Sequence, residues 1–286
     1  MTTLENWCLG DGHESTDFLL TEADIYTLPE LVVQDTIRFD YNQWKQSWSK
    51  KSCSIFAAVS AASDLWNYEF SLAEIKEIDT MSYARGRVQW QGWYTKNAFA
   101  LVCDWWNNKF PDKPMAYYAV LFANDAKCNM VMEKNYNLWV SFNYTADYVK
   151  DMDENWEIDR AKSWEKKLTW HCVNEIIKDE RKQIKDNYKW SSKQYYNINV
   201  SNSELRNAGI YHNWAYLFTK VKENNLEELK RLEKVKVACL NALQNNSALW
   251  EATNDENLKK KLHEVNEYIR NNNLKYIEEK TKELRW

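Results

Sequence analysis

Apolar residues in the first half of the chain recur at the spacing expected of helices. Residues 52–66 are apolar on nearly every face and include four alanines, which allow neighbouring elements to approach closely. This pattern predicts a buried helix. A capping box formed by Ser71 and Glu74 predicts the start of a second, short helix, and Thr95 predicts the start of a third. We therefore expect the first half to be mainly helical.

Beyond residue 111 the pattern changes to runs of β-branched and aromatic residues, which are typical of strands. Five such runs predict strands at Met115–Phe122, Leu138–Tyr144, Leu168–Ile176, Tyr195–Ser201 and Ile210–Val221. Residues 178–194 are charged, and we interpret them as an insertion that joins two of these strands. The second half is thus expected to form a sheet or barrel.

Both ends of the chain differ from this central part. Leucine-rich stripes with helical spacing predict a helical hairpin over residues 223–286, with a capping box at Thr253 and Glu256 between its two helices. The stripes suit docking onto the chain's own globular part and binding of a protein partner equally well. Residues 1–35 are acidic and contain only short apolar patterns, and we expect this segment to wrap around the globular part of the chain.

Charge and composition exclude several classes of protein. The 286 residues include 38 Lys and Arg against 42 Asp and Glu, so there is no excess of cations to neutralise phosphates and no nucleic-acid partner is expected. With 44% apolar residues, including 16 Trp and 17 Tyr, the chain is too hydrophobic for intrinsic disorder. The longest apolar run, residues 115–123, is about half of what a membrane-spanning helix needs.

Cysteine usage and the N-terminus bear on the compartment. The six cysteines lack CxxC spacing, which argues against a disulfide framework and a zinc ribbon; they are Cys8, Cys53, Cys103, Cys128, Cys172 and Cys239. No metal or cofactor is predicted. The sequence starts without the basic and apolar stretches of a secretory signal. We therefore expect reduced thiols and a cytoplasmic location.

Four polar residues follow one another in an order that suits thiol catalysis. Gln43 precedes Cys53, which begins the buried helix; His171 lies on a predicted strand, and Asn202 follows the next one. A helix N-terminus and a protonated imidazole both lower the pKa of a thiol, and Cys53 is placed for the first effect. A side-chain amide carbonyl can hold an imidazole in the productive tautomer, a role open to Asn202.

These residues lie in segments that resemble the catalytic motifs of papain-like cysteine peptidases. The resemblance covers roughly residues 28–222 and rests on short motifs in the right order. The quoted segments are Tyr41-Asn42-Gln43 with Ser52-Cys53-Ser54-Ile55-Phe56-Ala57-Ala58, Trp170-His171-Cys172-Val173, and Val200-Ser201-Asn202-Ser203 followed by Gly209-Ile210-Tyr211.

The resemblance implies an α+β, two-lobe fold with a helical left lobe and a β-barrel-like right lobe, which we assign to residues 36–222. It implies a peptidase in which Cys53 is the nucleophile and His171 transfers the proton. It further implies that Asn202 orients the imidazole and that Gln43 stabilises the oxyanion, with Gln46 as a rival for that role. The substrate would be a protein or peptide.

Two other functions fit the same residues. The first keeps the fold without the reaction: a papain-like structural or binding component of a larger, for example viral, assembly, with the hairpin as its attachment. The second is an amidase or peptidoglycan hydrolase that shares the Cys-His-Asn order. Fast, His171-dependent alkylation of Cys53 would favour an enzyme over a scaffold.

Overall fold

The computed structural model of the chain describes fourteen stretches of residues: 19–20, 22–31, 41, 43–46, 48–49, 51–88, 92–121, 124–145, 157–158, 167–178, 180–187, 195–207, 211–221 and 225–285. Much of the predicted N-terminal wrap lies outside them. The chain divides into two compact units. One comprises residues 1–110 and 115–220, and the other comprises residues 111–114 and 221–286.

The described helices of the larger unit are α1 (Glu22–Thr27), α2 (Cys53–Trp66), α3 (Leu72–Ala84), α4 (Thr95–Lys109), α5 (Asp125–Glu133) and α6 (Asn202–Asn207), and a 3-10 turn is formed by Gln43–Lys45. Helix α2 is buried along its whole length except at Trp66, which confirms the predicted core helix. Helix α3 starts at the capping box of Ser71 and Glu74, as predicted. Helix α4 starts at Thr95, also as predicted.

The strands form a seven-stranded sheet among the described residues. They are β1 (Met115–Leu121), β2 (Leu138–Thr145), β3 (Glu157–Ile158), β4 (Lys167–Lys178), β5 (Arg181–Lys185), β6 (Tyr195–Ile198) and β7 (Tyr211–Lys220). Their order is β1-β7-β2-β4-β5-β6-β3, and every pair is antiparallel except β3 with β6. Aromatic side chains join the helices to this sheet: Phe99 of α4 stacks on Phe218 at 4.1 Å and on Trp139 at 4.5 Å between ring centroids.

The charged segment predicted to be an insertion contains a strand instead. Strand β5 pairs with β4 and with β6. The charges of this segment indicate an exposed insertion, but Lys185, at the end of β5, is fully buried. It forms an ion pair with Asp64 of α2 at 3.1 Å. A lysine with an internal carboxylate partner can occupy a core position that its charge alone would forbid.

The smaller unit is a helical hairpin, as predicted. Its helices are α7 (Leu226–Ala252), α8 (Glu256–Tyr268) and α9 (Lys275–Arg285), and a π-helical turn (Ile269–Leu274) joins the last two. Its core contains Leu232, Cys239, Ile269 and Ile277. The predicted capping box at Thr253 is wrong, because Asp255 caps α8 through the backbone N–H groups of Asn257 and Leu258.

No helix in the described part of the chain combines the length and the apolar character needed to cross a bilayer.

Candidate active site

Cys53 is the first residue of α2, the most deeply buried helix of the larger unit. The preceding residue, Ser52, is the N-cap, yet its hydroxyl makes no hydrogen bond to the N–H groups of the first helical turn. A helix N-terminus carries partial positive charge and favours a neighbouring anion. The fold therefore provides a favourable position for a thiolate at Cys53.

His171 lies in β4, and its Nε2 is 2.8 Å from Oδ1 of Asp186. Both side chains are fully buried. The antiparallel pairing of β4 with β5 explains their meeting: Lys185 pairs with Asn174, so the next residue, Asp186, comes level with the part of β4 that carries His171. With Nε2–H donating to this carboxylate, Nδ1 is the ring nitrogen available for proton transfer.

Cys53 and His171 interact electrostatically, and each shifts the pKa of the other. Burial opposes the thiolate, but hydrogen bonds from Cys172 and His171 and the charge of the imidazolium hold the pKa of Cys53 well below its ordinary value. Burial also opposes the imidazolium, but the charge and hydrogen bond of Asp186, together with Cys53, raise the pKa of His171 to about 10. Both shifts favour the thiolate–imidazolium form of the pair.

Cys172 provides a second thiol at the nucleophile. It follows His171 in β4 and contributes hydrogen bonds to Cys53 that favour the thiolate. Its own sulfur lies 4.0 Å from Oγ1 of Thr95, the residue that begins α4. The start of α4 thus contacts the cysteine that follows His171.

Two asparagines connect strand β4 and the residues after β5 to helix α2, which begins at Cys53. The amide nitrogen of Asn187 donates to the carbonyl of Phe56 at 3.2 Å, and that of Asn174 donates to the carbonyl of Ala57 at 3.0 Å. The carbonyl of Asn187 also accepts the backbone N–H of Gln43 at 2.9 Å. Because Asn187 adjoins Asp186, these bonds fix the acid relative to both Cys53 and the glutamine segment.

The structure distinguishes the two glutamines proposed for the oxyanion. Gln43 is fully buried, and its Nε2 donates one hydrogen bond to the carbonyl of Ser49 at 2.7 Å. Gln46 lines a cavity of about 510 Å³, whose other lining residues are Tyr41, Lys45, Glu69, Phe70, Ser71 and Leu72. Neither Cys53 nor His171 lines this cavity.

Asn202 is not brought to His171, and its predicted role as the orienting residue is corrected. It begins α6, its Oδ1 accepts a hydrogen bond from Nζ of Lys182, and its backbone N–H donates to Asp125 at 2.6 Å. Asp186 holds the imidazole instead. The sequence pattern does not reveal Asp186, because this residue follows strand β5, whose charges are typical of an exposed insertion.

One signal in the sequence could have found Asp186. It follows His171 by 15 residues and is directly followed by an asparagine. A β-hairpin of that length returns its second strand to the level of the first, so a carboxylate at its end can reach a histidine near its beginning. A carboxylate can orient an imidazole by accepting its ring N–H.

Structural comparison gives matches to cysteine proteases. Xylellain, a cysteine protease from Xylella fastidiosa, aligns with a TM-score of 0.56 at 12% identity and covers 77% of this chain and 97% of its own. The fold is papain-like. A procathepsin B from Trypanosoma congolense aligns with a TM-score of 0.49 at 13% identity, over 75% of this chain and 87% of its own.

Comparison of the amino-acid sequence with known families and proteins does not assign the chain to a family. No protein-family model matches the chain, and no curated protein matches it. Nothing in the comparisons supports a viral origin. Among the described residues, no group of three or more His, Cys, Asp or Glu side chains is arranged to hold a metal ion.

Proposed function

We propose that the chain is a cysteine peptidase of papain-like fold that hydrolyses peptide bonds through Cys53, His171 and Asp186. The observation that carries the proposal is the buried His171–Asp186 hydrogen bond beside a cysteine at a helix N-terminus. A thiol, an imidazole and an orienting group in hydrogen-bonded sequence constitute a nucleophile with its own proton carrier. The papain-like fold supports the same activity.

In the proposed acylation step, the Cys53 thiolate attacks the carbonyl carbon of the scissile peptide bond. The carbonyl electrons move to its oxygen and form a tetrahedral oxyanion. Collapse of this intermediate breaks the C–N bond, and the imidazolium of His171 gives its Nδ1 proton to the departing amine. A thioester on Cys53 and a neutral imidazole remain.

Deacylation reverses the direction of proton transfer. Neutral His171 removes a proton from a water molecule, which attacks the thioester carbonyl. The second tetrahedral intermediate expels the Cys53 thiolate and releases the carboxylic acid product, restoring the ion pair. Asp186 keeps Nε2–H engaged throughout and stabilises the imidazolium whenever it forms. In both steps, the Cys53 backbone N–H and the second amide hydrogen of Gln43 serve as oxyanion donors.

The test measures hydrolysis by the purified chain on two polymers. Casein and isolated bacterial cell walls are each incubated with the wild type, with Cys53→Ala and with Cys128→Ala, and new termini are identified by mass spectrometry. We expect cleavage of casein by the wild type and by Cys128→Ala but not by Cys53→Ala. Release of cell-wall fragments without cleavage of casein would instead indicate an amidase, and no cleavage of either polymer would contradict the proposal.

A catalytically inactive papain-like scaffold is the second candidate, and one observation favours it. Cys53 is only 1% exposed and His171 is fully buried, so a substrate reaches the thiol only if covering atoms move. An epoxide inhibitor that is specific for thiolates probes this access directly. Covalent labelling of Cys53 in the native protein supports a peptidase; labelling only after unfolding would support the scaffold.

A further inference from the structure

The hydroxyl of Ser52 is directed away from the helix that it precedes. A serine at an N-cap normally accepts a hydrogen bond from the second or third N–H of its helix. Here the Ser52 hydroxyl donates to Oδ1 of Asp79, and its oxygen accepts a hydrogen bond from Nη2 of Arg87 at 3.2 Å. Both groups come from outside α2, so tertiary contacts override the local capping preference.

Arg87 makes several further contacts around the residue that precedes the nucleophile. Its Nη2 donates to the carbonyl of Lys51 at 2.8 Å, and its Nη1 pairs with Oδ1 of Asp79 at 2.5 Å. Nη1 also lies 3.3 Å from the hydroxyl of Ser82, and the guanidinium is 5.1 Å from the ring centroid of Tyr83. The planar fork of an arginine can hold this many groups in fixed geometry, whereas a lysine cannot.

The network is internal. The side chain of Arg87 is 1% exposed and that of Asp79 is 6% exposed. Buried ion pairs are weak contributors to stability, because desolvation of both charges offsets much of their attraction. Arg87 and Asp79 instead fix the position of the Lys51 carbonyl and the direction of the Ser52 hydroxyl, directly before Cys53.

Another helix of the same unit shows the alternative arrangement. In α5 the N-cap is Asn124, and its side chain accepts the backbone N–H of Lys127 at 3.0 Å. That helix N-terminus is capped in the ordinary way, and no candidate catalytic group lies at it. The starts of α2 and α4 both lack such a side-chain cap, but only at α2 is the N-cap a serine whose hydroxyl is held by other elements.

We propose that Arg87 and Asp79 are positioning residues of the active site. By binding the Ser52 hydroxyl, they keep it off the first-turn N–H groups of α2, which then face the anion that forms at Cys53. This inference rests on the proposed function, because it concerns the reactivity of the same thiol. Its predicted consequence is a stronger stabilisation of the thiolate than a capped helix would give.

The experiment measures the rate of Cys53 alkylation by iodoacetamide as a function of pH in four proteins: the wild type, Arg87→Lys, Arg87→Lys with Ser52→Ala, and Arg85→Ala as a control. Arg85 lies in the same segment but forms an exposed ion pair with Asp104 at 2.8 Å. Thermal unfolding shows which variants are folded. Arg87→Lys retains the charge and is chosen over alanine so that Asp79 keeps a partner.

We expect Arg87→Lys to slow alkylation about two- to fivefold on the acidic side of the profile, since the Ser52 oxygen no longer accepts from Nη2 of Arg87 and can accept a first-turn N–H of α2 while its hydroxyl still donates to Asp79. Removing that hydroxyl in the double variant restores the wild-type profile, and Arg85→Ala leaves it unchanged. An unchanged profile in folded Arg87→Lys, or a slow profile that Ser52→Ala does not restore, would overturn the proposal. If the wild type hydrolyses nothing, the peptidase proposal fails, while these alkylation profiles still decide the role of Arg87.

Discussion

Cys53 and Cys128 are both buried cysteines in the first turn of a helix, yet their surroundings move their pKa values in opposite directions. Next to Cys53 stand an imidazolium and a second thiol, which lower the pKa despite burial. Burial raises the pKa of Cys128 to about 12, assisted by the negative charge of Glu175. The nature of the neighbouring charge, rather than burial or helix position, therefore decides in which direction the pKa of each thiol moves.

The same contrast explains why Asn202 was a misleading candidate. Its amide belongs to the surroundings of Cys128, where it opposes the rise in the pKa of that thiol, and its Oδ1 accepts a hydrogen bond from Lys182. Asp186 belongs to the surroundings of Cys53 through His171. Two polar clusters thus lie along the same sheet, and only one contains an imidazole.

The largest effect is expected when the imidazole is removed. His171→Ala deprives Cys53 of its cation, so its pKa returns toward the ordinary thiol value and alkylation near pH 6 slows by about 100-fold or more. The measurement is the iodoacetamide labelling rate of each cysteine by mass spectrometry. His263→Ala, in the helical hairpin, serves as the control and leaves the rate unchanged. A decrease of less than about threefold in folded His171→Ala would contradict the ion pair.

Removing the acid should give the next largest effect. Asp186→Ala takes away the charge that raises the pKa of His171 and the acceptor that orients its ring, so peptide hydrolysis falls by about 10²-fold or more. Asn202→Ala is the matched comparison, and it should leave hydrolysis within about twofold while lowering the free energy of unfolding by about 1 kcal/mol. Equal losses of hydrolysis in the two variants would indicate that Asn202, like Asp186, contributes to the active site.

The rate of Cys53 alkylation and the rate of peptide hydrolysis should depend on pH differently. Alkylation requires only the thiolate, so its rate is already at its plateau near neutral pH and falls as the pH drops through the lowered pKa of Cys53. Hydrolysis also requires the imidazolium as proton donor, so it falls again as the pH rises through about 10. Rates of both reactions across the pH range provide the test. Alkylation of Cys53 that still rises steeply between about pH 7 and 9 would indicate an ordinary thiol.

The smallest effect concerns the second thiol. Cys172→Ala removes a hydrogen bond to the Cys53 thiolate without removing any charge, so alkylation on the acidic side should slow by about fivefold. Cys172→Ser supplies a hydroxyl donor and should recover most of the rate. The comparison uses the same labelling measurement, with Cys239→Ala as a control distant in sequence. Identical rates in Cys172→Ala and the wild type would exclude a role for this thiol.

Much of the fold could be predicted because its elements carry strong local signals. The apolar, alanine-containing segment of α2 and the capping box of α3 each specify a helix without reference to distant residues. The papain-like fold followed from the order of the motifs and is supported by the structural match to xylellain. Strand β5 could not be predicted in this way, because Lys185 is compatible with a core position only through Asp64, which lies 121 residues away.

The candidate site was predictable only in part for a related reason. Cys53 at the start of α2 is a local feature, and β4 around His171 has a clear strand pattern. The third residue depends on how two strands pair, and pairing register is a non-local property that spacing alone does not fix. The interaction of Arg87 with Ser52 is of the same kind, since it joins residues 35 apart on different elements.

The most direct test of the ion pair is the protonation state of His171 itself. The chain has four histidines, and nitrogen-resolved NMR of protein labelled in its histidine rings, with His171→Ala for assignment, reports each ring separately. At about pH 8, where an ordinary histidine is neutral, we predict that both ring nitrogens of His171 carry a proton. A neutral His171 ring at that pH would contradict the account.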